Sequence, residues 1–434
     1  MVFEMDFNYN MYIDDLTGLP NLKGLYREYQ NQDLTGMHFI YVDIDDFNRM
    51  NIIFGIDTVE DMLVSLAGVL QDYCGKSSVY RVGNDQFMLV TTSQYICEPS
   101  ELQRILKTPF KHHHIQYVIN ASVCVIDYDE FKGDSLYDIL KLAHITIDLT
   151  KSMGRNTLIY ATKEHKERYR RIKEIEHHIY EAHDSGDFFA KYRPFVDTFN
   201  GEVIGFEAVS RWILNGELLK PHDYLEIAEW TGIIYDLEMK IFDDAIRFYR
   251  SLQDRKDIKL SKRFKAGVNL SLHTLLRIEI KDIMNILTTY EVSARDVIIE
   301  IRENYITDHN AYKKVQNLYE LGFVMVLDHY SNTTSSLSYL ADLKVDVLKL
   351  SETLLEEVNK SEEYIHMMAV YKFFVDISKK FDLSVVSTGV ENKKDLDLIR
   401  ELGVNIATGN YFCRAVVEDE FVDYLKTAKK RKWR

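Results

Sequence analysis

Apolar and polar positions follow two different rhythms along this chain, changing near residue 185. In the first 160 residues, short apolar runs at 39–42, 79–82, 87–90 and 117–126 read as strands. The stretches at 59–73 and 135–153 repeat their apolar positions at helical spacing. Strands and helices in that mixture predict an α+β domain. Gly83, Asn84, Asp85 and Gln86 join two of the strands and predict a hairpin. The turn-rich segment 14–21 leads into a helix that Asp15 or Thr17 could cap. Residues 163–182 are dense in charge, with Tyr169, Ile172, Ile175, Ile179 and Ala182 on one stripe. That pattern predicts an amphipathic connecting helix packed on one of the chain's own domains, with a dimer seam as the alternative.

Beyond residue 185 the rhythm becomes strand, helix, strand. Eight apolar runs, at 188–192, 203–206, 266–268, 297–299, 324–327, 345–348, 383–386 and 404–406, are separated mostly by longer helical segments such as 224–252 and 365–381. Such alternation over about 250 residues predicts a (β/α)8 barrel. Six runs end on a polar side chain: Glu207, Asn269, Glu300, Asp328, Lys349 and Ser387. Three carboxylates, an amide and a lysine meeting on one barrel face would repel without a cation, so a Mg2+ or Mn2+ site holding a phosphorylated ligand is expected there. In the first domain, Asp43 at a strand end and Asp85 in the hairpin could also meet at a hard cation, or could be two exposed turn acids; spacing alone favours the second.

Composition narrows the partners. With 53 Lys plus Arg against 68 Asp plus Glu the formal charge is −15, which argues against broad nucleic-acid binding. The basic run Lys429, Lys430, Arg431, Lys432 and Arg434 around Trp433 reads as a solvated tail. Cys74, Cys97, Cys124 and Cys413 lie far apart with no CxxC pair, so neither a disulfide framework nor a zinc site is expected and the cytoplasm is the natural compartment. No apolar run approaches the roughly 18 residues of a membrane span, and the start around Glu4 and Asp6 is not a signal peptide. A governing sensor domain is accordingly expected on another chain. The adjacent His112, His113 and His114 cannot all face one ion from a strand and read as a surface run.

Motifs in register add a family. The stretches DDLTGLPN, YVDIDDFNRMN, RVGNDQF and AHITIDLTKSMGRN stand in the order and at the spacings of GGDEF diguanylate cyclase domains, so residues 10–160 resemble that palm-like α+β family. The resemblance implies that Asp43 and Asp85 are metal carboxylates, that Asn51 and Glu60 contact guanine, and that Lys151 and Arg155 bind the triphosphate of GTP. The stretches YRPFVD, FEAVSRW, PHDYLEIAEWTG, VNLS, IEIRE, LDHYSNTTSSLSYL, VDVLKL, STGVEN and ATGNYF resemble the successive motifs of EAL-type cyclic-di-GMP phosphodiesterases over residues 175–425. That resemblance implies Glu207, Asn269, Glu300 and Asp328 as metal ligands, Arg211 as a phosphate contact, Lys349 as a water or phosphate contact, and Glu303 as a brace for the loop after Asp328. The expected organisation is a degenerate GGDEF domain at 1–160, a connecting helix at 161–184 and a degenerate EAL barrel at 185–434.

The departures from both motif sets fall where chemistry happens. The hairpin reads Gly83-Asn84-Asp85-Gln86-Phe87: Asn84 adds a side chain where the family's glycine lets a nucleotide approach, and Gln86 removes a negative charge. Asn48 replaces a lysine, and Cys74 and Ser77 stand where an RxxD motif would precede the loop. In the barrel, His329 replaces the second loop aspartate, Thr388 replaces the glutamate expected as general base and leaves Glu391 as the motif's later acid, Arg193 and Thr408 replace glutamines, and Ser331-Asn332-Thr333 replaces a flexible GTG. Threonine takes no proton near neutral pH, and losing a general base typically costs about 10² to 10⁴ in rate; a neutral histidine could still hold Mn2+ or Fe2+. The expectation is a catalytically impaired cyclic-di-GMP signalling protein that binds cyclic-di-GMP or GTP, with Arg193 and Arg211 on the phosphates, acts through a protein partner, and pairs as such barrels often do. The alternatives are a slow or metal-switched phosphodiesterase producing pGpG and a scaffold that binds no nucleotide.

Overall fold

The computed structural model describes residues 10–74, 78–92, 99–107, 110–112, 115–151, 154–330, 343–360 and 364–428. The basic tail, the Ser331-Asn332-Thr333 substitution, Ser77, Cys97, His113 and His114 lie outside the described residues. The chain divides into two compact units, Met1–Lys173 and Glu174–Arg434.

The first unit is built on β1 (Met37–Ile44), β2 (Val79–Arg81), β3 (Gln86–Thr92), β4 (Phe110–His112), β5 (Ile115–Tyr117), β6 (Ala121–Asp127) and β7 (Leu158–Tyr160). Five of them form one sheet in the order β2-β3-β1-β6-β7, while β4 and β5 pair separately. Alternate residues of β1 enter opposite cores. Ile40, Val42 and Ile44 pack with Val59, Met62, Leu63 and Leu66 of helix α1 (Ile56–Cys74), and Phe39 and Tyr41 pack with Ile139, Leu142, Ala143 and Ile147 of helix α2 (Leu136–Lys151). A strand covered on both faces needs a continuous apolar run, and β1 has one. The run read as one strand over 117–126 is two: Tyr117 ends β5, Ala121 begins β6, and the Asn120 carbonyl between them accepts from Asp45 N–H at 2.9 Å. The first helix, Leu22–Tyr29, is capped by Asn21, whose side chain accepts from Lys23 and Gly24 N–H; Asp14 instead closes the preceding turn onto Thr17.

Helix α3 (Lys163–Ser185) runs across the chain division at Lys173, and Ile175, Ile179 and Ala182 on its second-unit part are buried. Its Tyr180 hydroxyl donates to the Thr231 carbonyl, and its Glu174 accepts from Asn215. The strands that follow are β8 (Phe188–Asp197), β9 (Val203–Leu214), β10 (Glu217–Leu219), β11 (Lys265–Asn269), β12 (Val297–Arg302), β13 (Val324–Tyr330), β14 (Val347–Leu350), β15 (Ser384–Ser387) and β16 (Ile406–Ala407). β9 and β11 to β16 run parallel, and β8 closes the barrel by pairing antiparallel with both β9 and β16. All eight apolar runs read from the sequence are barrel strands; the reversed direction of β8 is what alternation could not show. The segment expected as one helix over 224–252 is two, Pro221–Thr231 and Ile234–Asp254, because Gly232 takes the left-handed conformation (φ 78°) and terminates the first.

Candidate functional site

Each barrel strand contributes one inward position to a common layer. An apolar cluster of Phe195, Val326, Val347 and Val386, with Ile298 and Ile406 packed against it, fills the lower barrel. Two residues further toward the mouth, and so on the same face of their strands, stand Arg193, Asp328, Lys349 and Glu300, with Thr388 and Thr408 one residue past the ends of β15 and β16. Glu207 joins them because β9 pairs it directly opposite Arg193, and Asn269 because β11 pairs it with Glu300. A polar layer is thereby stacked on an apolar one at the C-terminal ends of the parallel strands, where barrels of this kind carry their chemistry.

Lys349 is the centre of this layer. Its Nζ contacts Glu207 Oε1 at 3.0 Å and Asp328 Oδ2 at 3.5 Å, and it bonds Glu300 Oε2. Asn269 Nδ2 donates to the same Glu207 oxygen at 2.9 Å. Glu207, Glu300, Asp328 and Lys349 are all buried. Desolvation disfavours each charged form, and neighbours decide the outcome. For Glu207 burial pushes upward, but the Lys349 and Arg193 charges and the hydrogen bonds from Asn269 and Lys349 outweigh it and hold the carboxyl at about 2. Burial opposes the Lys349 ammonium, yet Asp328, Glu207 and Glu300 keep it protonated well above the ordinary lysine range. The deficit falls on Glu300, pushed well up by burial and by repulsion from Glu207 and Asp328 despite Lys349.

The donor set suits a hard divalent cation. Three carboxylates face one ammonium within bonding distance, and Glu300 Oε1 is buried with no hydrogen-bond partner among the described residues. That oxygen lies over Gly267, 3.2 Å from where a Cβ would stand, so glycine there leaves room for the carboxylate. Among the described residues no three His, Cys, Asp or Glu side chains are arranged to hold an ion as they stand; Lys349 Nζ occupies their point of convergence.

The replaced positions are placed as follows. His329 adopts a left-handed backbone (φ 57°) at a bulge in β13, is exposed, and donates its N–H to Asp328 Oδ1 at 2.7 Å. The Thr388 hydroxyl donates to the Leu350 carbonyl at 2.8 Å, and Ser387 receives the Tyr371 hydroxyl in the core. Arg211, four residues beyond Glu207 on the same face of β9, donates to the Ser210 carbonyl, and burial holds its guanidinium below the ordinary range. Glu303 is buried just past β12, while the loop it was expected to brace falls at residues 331–342, outside the described ones.

In the first unit, Asp43 pairs across β1 and β3 with Gln86, whose Nε2 donates to Asp43 Oδ2 at 3.0 Å, and Lys151 bonds the other oxygen. Asp85 is half-buried in the hairpin and pushed up by burial and by the Asp43 charge. Arg155 pairs with Asp46 rather than joining Lys151, Asn51 is half-buried on the helix Phe47–Phe54, and Glu60 is exposed on α1. Asp45, from the same acidic cluster, is buried and accepts from Ser122 at 2.9 Å and Asn156 N–H at 2.8 Å.

Two placements were missed by sequence reasoning. Gln86 does more than remove a charge, since its amide donates to Asp43; the one-to-one hairpin register was the available signal. Glu352, two residues past β14, packs so closely on Gly389 that a Cβ there would meet its own Cβ at 2.5 Å, with Oε2 at 3.7 Å.

Comparison with known proteins agrees with this geometry. The family described as "EAL domain" matches residues 176–415, and "Diguanylate cyclase, GGDEF domain" matches residues 11–157. Cyclic di-GMP phosphodiesterase PdeR of Escherichia coli is 24% identical over 96% of this chain and 64% of its own length. Bifunctional diguanylate cyclase/cyclic di-GMP phosphodiesterase MucR of Pseudomonas aeruginosa is 23% identical over 91% of this chain and 59% of its own. This chain therefore spans less than two thirds of these curated relatives. The GGDEF–EAL structure of Vibrio cholerae LapD, bound to c-di-GMP, shares the fold at a TM-score of 0.58 and 14% identity, covering 92% of this chain and 96% of that one. Among the described residues no helix is long and apolar enough to cross a membrane. With an EAL match over more than half of its residues and a GGDEF match ahead of it, the chain belongs to the EAL domain family as a tandem GGDEF–EAL protein.

Proposed function

We propose that this chain is a cyclic-di-GMP receptor whose barrel mouth binds the dinucleotide while hydrolysing it slowly or not at all. The observation that carries the reading is Thr388. One residue past β15, where the family resemblance expects the general base, stands a hydroxyl already donated to the Leu350 carbonyl. Such a group takes no proton from water near neutral pH. Glu207, Asn269, Glu300 and Asp328 would hold one divalent cation, Mg2+ or Mn2+, whose contribution is Lewis acidity at a phosphoryl oxygen. Arg211 and Arg193 would bind phosphate, and Lys349 would shift from its carboxylates toward a phosphate oxygen or water. His329, exposed and turned by the bulge, leaves a second cation without its ligand. The relatives named phosphodiesterases and the c-di-GMP-bound neighbour support the ligand class.

In the first unit, Asp43 and Asp85 would hold a cation, Asn51 and Glu60 would meet guanine, and Lys151 and Arg155 would meet phosphates, which retains GTP binding without cyclase activity. Output then passes through a protein partner or a homodimer. Calorimetry with cyclic-di-GMP and with GTP, in Mg2+ and then Mn2+, tests the reading: binding without turnover to pGpG is expected, and absence of binding in both metals overturns it.

Glu352 favours a second reading, a slow phosphodiesterase. It is the acid packed against the loop that follows Thr388. Turnover that disappears in both Glu352→Gln and Glu207→Ala would establish that reading in place of the first.

A further inference from the structure

We propose that the corner between the helix Phe47–Phe54 and α1 is a two-fold contact through which two copies of this chain pair, centred on Ile52, Ile53 and Ile56. The inference goes beyond the receptor reading and does not rest on it, since no barrel residue takes part.

Gly55 makes the corner. Its backbone, at φ 81°, ends the first helix with its N–H donated to the Asn51 carbonyl at 3.0 Å, and α1 begins at the next residue. Residues 52–57 are exposed without a break. Ile52 is 85% exposed, Ile53 60% and Ile56 65%. A single exposed apolar side chain is ordinary, but three isoleucines beside the exposed Phe54 on one bend of the chain form a continuous patch. They add nothing to the unit's own core, to which α1 contributes Val59, Met62, Leu63 and Leu66.

Charge decides what fits there. Arg49 precedes Ile52 and Ile53 by three and four residues and so shares their helix face, while Asp57 and Glu60 follow Ile56 on α1. All three charged side chains are exposed, and among the described residues none of them makes an ion pair. The strip therefore runs from positive through apolar to negative. Two such strips laid antiparallel match each other: isoleucine meets isoleucine, and Arg49 of each copy meets Asp57 of the other. An isologous interface requires this self-complementarity. A bilayer does not supply it, because the acids would face lipid phosphates, and a uniformly basic partner would face Arg49. A bend between two helices is a small interface, so the pairing is expected to be weak and concentration-dependent.

The test is sedimentation velocity of the whole chain, without nucleotide, from about 1 to about 200 μM. The wild type is expected to pass from monomer to dimer across that range. Ile52→Ser combined with Ile53→Ser is expected to weaken pairing about tenfold or more, the scale of two apolar side chains lost from a contact. Arg49→Glu, which sets acid against acid, should weaken it several-fold. Adding Asp57→Arg to Arg49→Glu should restore it, because opposite signs again face each other. The substituted positions are exposed, and circular dichroism with a denaturation midpoint establishes that the variants fold. A dimer that survives the double serine variant unchanged, or a charge swap that does not restore pairing, overturns the proposal. A wild type that stays monomeric overturns it as well; flotation with phosphatidylglycerol–phosphatidylcholine vesicles then tells whether a bilayer covers the corner instead. None of these outcomes touches the receptor reading, which calorimetry with cyclic-di-GMP decides.

Discussion

The two carboxylate sites use the same parts, strand-end acids and one lysine, but water reaches them differently. Lys349 has 4% of its side chain exposed and lies among three carboxylates. Lys151 has 29% exposed and bonds Asp43, itself 3% exposed, whose second oxygen is held by the neutral amide of Gln86. The nearby pair, Arg155 with Asp46, is more exposed still. Charges in the barrel are thus set by one another, whereas those in the first unit are partly set by solvent, which screens them. An apparent likeness of composition hides a difference in coupling: one site responds as a whole to any single change, and the other loses only the pair that is touched.

The largest test of that contrast is Lys349→Ala, which strands three buried carboxylates. Removing one partner of a buried ionic cluster costs about 3–5 kcal/mol, so a drop of that size in chemical denaturation is expected, partly recovered by Mn2+ as the freed acids gain a cation. Lys151→Ala should cost less, about 1–3 kcal/mol, since only one pair is lost and the buried Asp43 keeps its bond from Gln86. Equal losses in the two variants would break the comparison.

Activity gives a second test. Thr388→Glu combined with His329→Asp is expected to raise cyclic-di-GMP hydrolysis by about 10² or more, the usual contribution of a general base, measured as pGpG formed; Gln86→Glu in the first unit is expected to leave hydrolysis unchanged.

A third test is pH. The Glu207 carboxyl is depressed to about 2 from 4.5, so its stabilisation is complete above pH 4.5 and is lost as pH falls toward 2. Glu238 shows the opposite case. It lies beneath the Ser271 cap, accepting from Ser271 N–H and Oγ, and desolvation pushes it up to about 7 despite those bonds. Its folded form binds the proton more tightly than the unfolded one, so it costs stability as pH rises from 4.5 through 7. Glu238→Gln should flatten the stability profile in that upper window, and Glu207→Gln in the lower one. The smallest effect is expected for Gln86→Ala, about 0.5–1.5 kcal/mol for the lost hydrogen bond to Asp43, with no change at the barrel.

The barrel strands and the inward acids were legible because strand ends are marked twice, by a run of apolar residues and by the polar residue that breaks it. The convergence of Glu207, Glu300 and Asp328 follows from that rule applied to each strand, and Lys349 adds the one cation among them. What stayed hidden depended on register or direction. That Arg193 faces Glu207 requires β8 to run against its neighbours, and a period-two pattern reads the same in both directions. The break between β5 and β6, and the split at Gly232, arise where the backbone turns within an apolar stretch, which hydrophobicity alone does not register.

The reversal of β8 also fixes where the connecting helix arrives. Had β8 been parallel, α3 would feed the barrel floor, and any tilt of that helix would have to cross a packed core before reaching the acids. Running upside down, the strand begins above the rim and descends past Arg193 into the interior. Gly186 and Asp187 alone separate the end of the helix from the strand that carries Arg193.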